Sequence, residues 1–175
     1  MFLRRNVKDL KDLTIIEIFN YSKRKKEIKM LPIVIASDHA GFALKEQVKK
    51  YLDEKNITYI DLGTNSAESV DYPEYAHKLC TAIQEGKAEK GILVCGTGIG
   101  MSMVANKHKG IRAACVSDTF SAKATRQHND ANVLCFGERV VGAGLAFELV
   151  NAFLTTEYEG GRHQRRVDLV NSFDN

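Results

Sequence analysis

Proline is scarce in this chain, two in 175 residues, and no low-complexity tract interrupts it, which argues against long disordered linkers. Paired cysteines are missing too. The four cysteines stand singly at 80, 95, 115 and 135, with no C-x-x-C spacing. That excludes a zinc ribbon or a dense disulfide framework and suits a reducing cytosol. Histidines and cysteines are dispersed along the sequence with no paired-ligand spacing, so no metal site is expected. No long apolar run exists near the N-terminus. Leu13–Phe19 is short and broken by Glu17, hence neither a secretory signal core nor a membrane span. Neither G-x-x-x-x-G-K-[ST] nor G-x-S-x-G occurs, against a P-loop nucleotide enzyme and an elbow-type serine hydrolase.

A charge excess of one sign is also lacking where it would matter. The net +3 arises in residues 1–30, where nine Lys/Arg face four Asp/Glu; the remainder carries sixteen against eighteen. The main domain is therefore no basic platform for nucleic acid. Residues 1–29, with Arg4, Arg5 and the run Lys23–Lys26, read as an extension ahead of a domain spanning 30–175. An upstream start codon explains it most simply, since Met30 opens the first strand. Acidic residues weaken the alternative of a targeting segment. The composition, 44% hydrophobic and 27% charged, is that of a soluble globular protein able to bury a core.

From Met30 onward, short β-branched runs alternate with helical periodicity. Strands are predicted at Ile33–Ala36, Ile57–Leu62, Gly91–Cys95, Ile111–Val116 and Val133–Phe136. Leu44, Val48, Tyr51 and Leu52 mark the first helix. Pro73 opens the second, whose inner face is Tyr75, Leu79, Ala82 and Ile83. Further helices are predicted over Gly100–Lys107, Ser121–His128, Gly142–Leu154 (Leu145, Leu149 and Phe153 inward) and Arg162–Ser172. Such alternation implies an α/β fold, a doubly wound, Rossmann-like three-layer sandwich on a five-stranded parallel sheet. Ligands in such sheets bind beyond the carboxyl ends of the strands. Asp38-His39, Cys95–Gly98 and His128-Asn129 flank strand ends and are expected to meet there.

Cys95-Gly96-Thr97-Gly98-Ile99-Gly100 is the strongest local signal. Three glycines in five positions let backbone N–H groups approach an anion as a helix begins. A cysteine at that mouth can act as a base or nucleophile; a tight turn after a buried strand-end cysteine fits the spacing equally well. Dinucleotide binding is disfavoured, because the loop is G-x-G-x-G and follows the third strand. Asp38-His39 offers an acid and an imidazole, or simply a helix cap. Arg126–Asp130 is polar for a helix end, which a solvated terminus also explains. His77 and His108 read as surface residues with no polar cluster. Arg162 and Arg166 share one helix face and can clamp a phosphate, although a solvated charged face is the commoner cause.

Taken together, Ser37–Gly41, Asp71-Tyr72-Pro73, Cys95–Gly100, Gly110-Ile111-Arg112, Arg126–Asp130, Asn132-Val133-Leu134, Phe136-Gly137 and Tyr158–His163 resemble the type-B ribose-5-phosphate isomerases, a family that includes the galactose-6-phosphate isomerase subunits. The resemblance runs in order from Met30 almost to the C-terminus. It implies aldose–ketose isomerisation of ribose 5-phosphate and ribulose 5-phosphate in the non-oxidative pentose phosphate pathway. By it, Cys95 moves a proton between C1 and C2. His128 helps open the furanose, with Asp38 nearby. Gly96, Thr97, Gly98, Ile99 and Gly100 hold the enediolate oxygens. Asn129 contacts the sugar and Tyr72 lines the site. His39, Arg139, Arg162 and Arg166 bind the phosphate. It also implies a cytoplasmic homodimer, or a tetramer, with sites shared between subunits and no cofactor.

Some relatives use a carboxylate base and lack the loop cysteine; here Ser102 and Met103 supply no carboxylate just beyond the loop. Arg126–Asn129 favours the pentose over the galactose 6-phosphate branch. Allose 6-phosphate or galactose 6-phosphate isomerisation, and a non-catalytic sugar-phosphate-binding module with a basic N-terminal arm, are the alternatives.

Overall fold

The computed structural model describes residues 31–174, so the expectations for residues 1–29 fall outside it. Its five strands are β1 (Ile33–Ser37), β2 (Tyr59–Asp61), β3 (Gly91–Cys95), β4 (Ala113–Cys115) and β5 (Val133–Gly137). All pair in parallel, in the order β2-β1-β3-β5-β4. The helices are α1 (Phe42–Glu54), α2 (Tyr72–Gln84), α3 (Ile99–Ala105), α4 (Thr119–Asn129), α5 (Ala143–Thr155) and α6 (Gln164–Asn171).

The three inner strands are buried at every residue, which is why they read as unbroken apolar runs. Side chains alternate between two cores. Ile33, Ile35, Ile92, Val94, Leu134 and Phe136 pack with Leu44, Val48 and Leu52 of α1, Ala122 of α4, and Leu149 and Phe153 of α5. Val34, Ala36, Leu93, Cys95, Val133 and Cys135 pack with Leu79 and Cys80 of α2 and Met101 and Ala105 of α3. Each fully buried Leu, Ile or Val contributes about 1.5–3 kcal/mol. The doubly wound sandwich is thus the observed fold.

Several local expectations need correcting. Strands β2 and β4 each span three residues rather than six, because both are sheet edges, paired on one side only and not fully buried. Leu145 is 37% exposed; the inner face of α5 is Ala146, Leu149, Val150 and Phe153. The last helix opens with a 3-10 turn, Gly161–His163, after Gly160 and Gly161 take φ of +63° and +54°, where glycine is favoured.

One ionic network locks α1 to the end of β2. Lys45 is fully buried, and its Nζ donates to both carboxylate oxygens of Asp61 at 2.7 Å. Lys49 Nζ lies 2.7 Å from Asp61 Oδ2, and Glu46 touches both lysines. Burial alone would raise the Asp61 carboxyl; the hydrogen bonds from Lys45 and Lys49 outweigh it and hold it below its ordinary value. Asp61→Asn leaves a buried ammonium facing only Glu46, and is expected to cost about 3 kcal/mol, as breaking a partly exposed buried pair does. The sign with pH follows: the stabilisation is complete above the ordinary carboxylate range and disappears as pH falls through the lowered native pKa. Denaturant melts at pH 7 and pH 3 check this, the gap between wild type and variant narrowing at the lower pH.

Candidate active site

Three loops converge at the carboxyl edge of the sheet, and glycines permit the approach. A Cβ on Gly41 would lie 2.5 Å from the Val94 carbonyl, one on Gly98 2.8 Å from the Phe136 backbone, and one on Gly137 inside contact distance of Thr97. The Glu138 N–H donates to the Cys95 carbonyl at 2.9 Å, and the Arg139 N–H to the Gly96 carbonyl at 3.1 Å. The loops after β1, β3 and β5 therefore form one unit.

Cys95 ends β3, 6% exposed, with Sγ accepting the Gly98 N–H at 3.0 Å. That contact strengthens when the sulfur is a thiolate. Gly98 takes φ of +81° and begins α3, so the N–H groups of the 96–100 loop lie at a strand end and helix start. Asp38 is buried and caps the 3-10 turn His39–Gly41, its Oδ1 accepting the N–H groups of Ala40 and Gly41 at 2.9 and 3.0 Å. His39 Nδ1 accepts the Val70 N–H at 3.1 Å, which puts the proton of the neutral ring on Nε2. The Tyr72 ring covers Gly100, where a Cβ would come within 2.9 Å of it. The exposed Arg139 lies beside Gly96. Asp38, His39, Tyr72, Cys95, Gly96, Thr97, Gly98, Ile99, Gly100 and Arg139 thus share one edge.

The remaining candidates do not join them. His128 and Asn129 end α4, which runs back against the strands and stops before β5 begins. The Gly91 N–H donates to Asn132 O and the Asn132 N–H to Arg112 O, fixing this as the amino edge of the sheet. Helix α4 also packs in the α1–α5 core, whereas Cys95 faces the α2–α3 core. His128 and Cys95 are therefore on opposite edges and opposite faces, with about 13 Å of strand between the edges. The expectation that both flank the carboxyl ends is overturned: a helix running antiparallel to its strand delivers its C-terminus to the other edge.

A second cluster forms there. The His128 and His163 rings stack at 4.4 Å with 11° between their planes. Arg162 Nε donates to His163 Nε2 at 3.4 Å, and Arg166 Nη1 to the Arg162 carbonyl at 2.9 Å. Arg166 and Asn129 line one cavity of about 230 Å³ with Arg112 and Val167. Arg162 and Arg166 are both exposed. The four phosphate candidates are thus split, His39 and Arg139 at one edge, Arg162 and Arg166 at the other. Histidines dispersed in sequence are also brought together in space, and Glu159 joins His128 and His163 within 4.8 Å.

Residues 33–170 match the model of the Ribose/Galactose Isomerase family. The chain belongs to that family. It is 48% identical over 145 residues to ribose-5-phosphate isomerase B of Escherichia coli, a match covering 83% of this chain and 97% of that protein. The solved ribose 5-phosphate isomerase of Thermotoga maritima superposes with TM-score 0.79 at 51% identity, covering 81% of this chain and 98% of that one. The type B enzyme of Trypanosoma brucei does so with TM-score 0.79 at 42% identity, covering 82% and 98%.

Within this isomerase fold, two supporting residues went unread in the sequence. Glu138 Oε2 accepts the Leu44 N–H at 2.9 Å, capping α1 and tying the Arg139 loop to the His39 loop. Arg112 holds the end of α4: its Nε donates to the carbonyls of Asn129 and Asp130 at 3.1 and 3.0 Å, and its Nη1 to Asn171 Oδ1 at 3.1 Å. The motif Gly110-Ile111-Arg112 was the available signal, without its partner. Cys115 is exposed, unlike the other three cysteines, with its Sγ 3.7 Å from the Thr97 carbonyl. Partial burial and the neighbouring Cys95 push its thiol up. His77 and His108 do have a polar partner, each other, at 2.7 Å. Since His108 Nδ1 faces the Val104 carbonyl at 3.0 Å, the His77 ring donates in the neutral pair.

Proposed function

We propose that this protein interconverts ribose 5-phosphate and ribulose 5-phosphate, with each site made from the carboxyl edge of one chain and the amino edge of a second copy. The observation that carries the reading is Cys95 at the mouth of its glycine loop, its sulfur already receiving a backbone N–H. A linear aldose laid on this loop presents C2–H to the Cys95 thiolate. The thiolate takes that proton to give the enediolate, a proton passes from O2 to O1, and the thiol returns its proton to C1 as C2=O forms, while the Gly96–Gly100 amides and Thr97 stabilise the enediolate oxygens. His39 Nε2–H and Arg139 are free to meet the phosphate from the same edge. The partner copy supplies His128 for furanose opening, an acid–base role that an imidazole, with a donor and an acceptor nitrogen, can fill. It also supplies Asn129 for the sugar and Arg162 and Arg166 for the phosphate dianion.

Two arguments support the two-chain site. The candidates are at opposite edges of one sheet, and Ile99, Met103 and Phe120 expose 50%, 64% and 78% of their surface beside the Cys95 edge or at the start of α4. Ile99 and Met103, four residues apart, share one face of α3, and an exposed apolar face of that kind fits a contact surface. A homodimer is the smallest assembly that suffices. Among the described residues no helix is long and apolar enough to cross a membrane; with four free thiols, a cytoplasmic setting fits.

Turnover assays with ribose 5-phosphate and allose 6-phosphate test the substrate. The expected result is a kcat/KM at least tenfold higher for the pentose. Preference for the hexose would move the protein to another branch of its family, and no turnover of either would leave a binding module.

A further inference from the structure

We propose that His128, Glu159 and His163 chelate a divalent first-row transition ion, Zn2+ being the best match to two imidazoles and one carboxylate, and that the bound ion blocks turnover by occupying the His128 imidazole. The second half rests on the role given to His128 above; the first half does not.

The three ligands come from separate elements that the fold locks together. His128 lies in the last turn of α4. Glu159 lies in the loop after α5, and its N–H donates to the Gln127 carbonyl at 3.1 Å, pinning that loop one residue from His128. Gly160 and Gly161, both at positive φ, turn the chain so that the 3-10 turn ends with His163 against His128. The His163 N–H closes the turn on the Gly160 carbonyl at 3.0 Å. The donor atoms lie within 4.8 Å of one another, and His163 Nε2 is 3.7 Å from Glu159 Oε2.

With metal–ligand bonds of about 2.1 Å, tetrahedral donors sit about 3.4 Å apart, so the widest pair must close by at most about 1.4 Å. The nitrogen lone pairs lie in the ring planes, which are 11° from parallel, so chelation requires one of the two imidazoles to turn out of the stack; that turn, with rotation of the exposed Glu159, also closes the distance. His163 Nε2 accepts from Arg162 in the structure, which leaves the lone pair there for a metal. That contact, at 3.4 Å, is long and readily exchanged. Arg162 and Arg166 place positive charge nearby and only Glu159 offsets it, so the affinity expected is micromolar rather than that of a structural zinc site. Three protein ligands leave the fourth position open to water, and the two imidazoles favour Zn2+, Ni2+ or Cu2+ over Mg2+.

Calorimetric titration of the EDTA-stripped full chain with ZnCl2 tests the site. One ion per chain is expected, with binding at least tenfold weaker in His163→Ala and in Glu159→Gln, each checked for folding by its melt. Titration with CoCl2 should give a spectrum without a thiolate charge-transfer band. No Zn2+ binding, equal binding by both variants, or a thiolate band would overturn the site; the last would place the ion on Cys95 or Cys115. Turnover is read in parallel, each protein against its own metal-free rate. Zn2+ should inhibit the wild type reversibly to EDTA and inhibit His163→Ala at least tenfold less. Stoichiometric binding at this cluster without inhibition would keep the chelate and overturn both the blocking and the role of His128.

Discussion

Cys95→Ala is expected to leave the fold standing and to lower turnover of ribose 5-phosphate by about 10²–10⁴-fold, the range lost with a positioned general base. The structural cost is small. Cys95 is 6% exposed at the end of β3, and alanine removes one sulfur and the acceptor of the Gly98 N–H. A lost buried hydrogen bond and a one-atom cavity together amount to about 1–3 kcal/mol. Cys95→Ser separates the two roles. A hydroxyl keeps an acceptor for the Gly98 N–H, so the melting temperature should return toward wild type. A serine hydroxyl is far harder to deprotonate than a thiol, so turnover should stay as low as in the alanine variant. Recovery of both together would make Cys95 a structural residue of the loop. Cys80→Ala is the contrast: burial pushes that thiol up to about 12, it packs in the α2–α3 core, and its loss should lower stability with turnover retained.

The sheet was legible because of where it is. Strands β1, β3 and β5 are covered on both faces, so residues such as Val34–Ala36 and Ile92–Val94 are apolar without interruption. Edge strands carry less of that constraint, so the apolar runs Ile57–Leu62 and Ile111–Val116 extend beyond the three-residue strands β2 and β4. Leu145 lies four residues before Leu149, a spacing that suggests one face, but a stripe at that spacing drifts around the helix. Ala146 and Val150 take the buried face instead.

The site was legible at the level of motifs, not of assembly. Glycine spacing exposed the Cys95 loop, since Gly98 must take a positive φ and clear the Phe136 backbone. No local pattern could reveal that Glu138 caps α1 across 94 residues, or that Arg112 reaches Asn129 and Asp130. These are long-range contacts of ordinary charged residues. Nor does a strand-end position say which end. His128 precedes a strand and Cys95 follows one, and in a parallel sheet those are different edges.

That separation makes the second large effect. Cys95→Ala and His128→Asn are each expected to be nearly inactive as separate preparations, because each homodimer carries the same defect in both sites. Unfolding and refolding a 1:1 mixture should restore roughly a quarter of the wild-type rate. Random pairing puts about half the chains into heterodimers. In a heterodimer one site combines the intact Cys95 of the first chain with the intact His128 of the second, and the other site holds both defects. A site completed inside one chain predicts no recovery at any mixing ratio, since every site would then keep one defect. The double variant, Cys95→Ala with His128→Asn on one chain, sharpens the reading. Mixed with wild type, its heterodimers hold two sites with one defect each, so activity should fall below the fraction of wild-type chains present. Mixing without unfolding gives the exchange rate of the dimer. Rescue only after refolding would mean that the apolar contacts at Ile99, Met103 and Phe120 hold the copies together over the time of the assay.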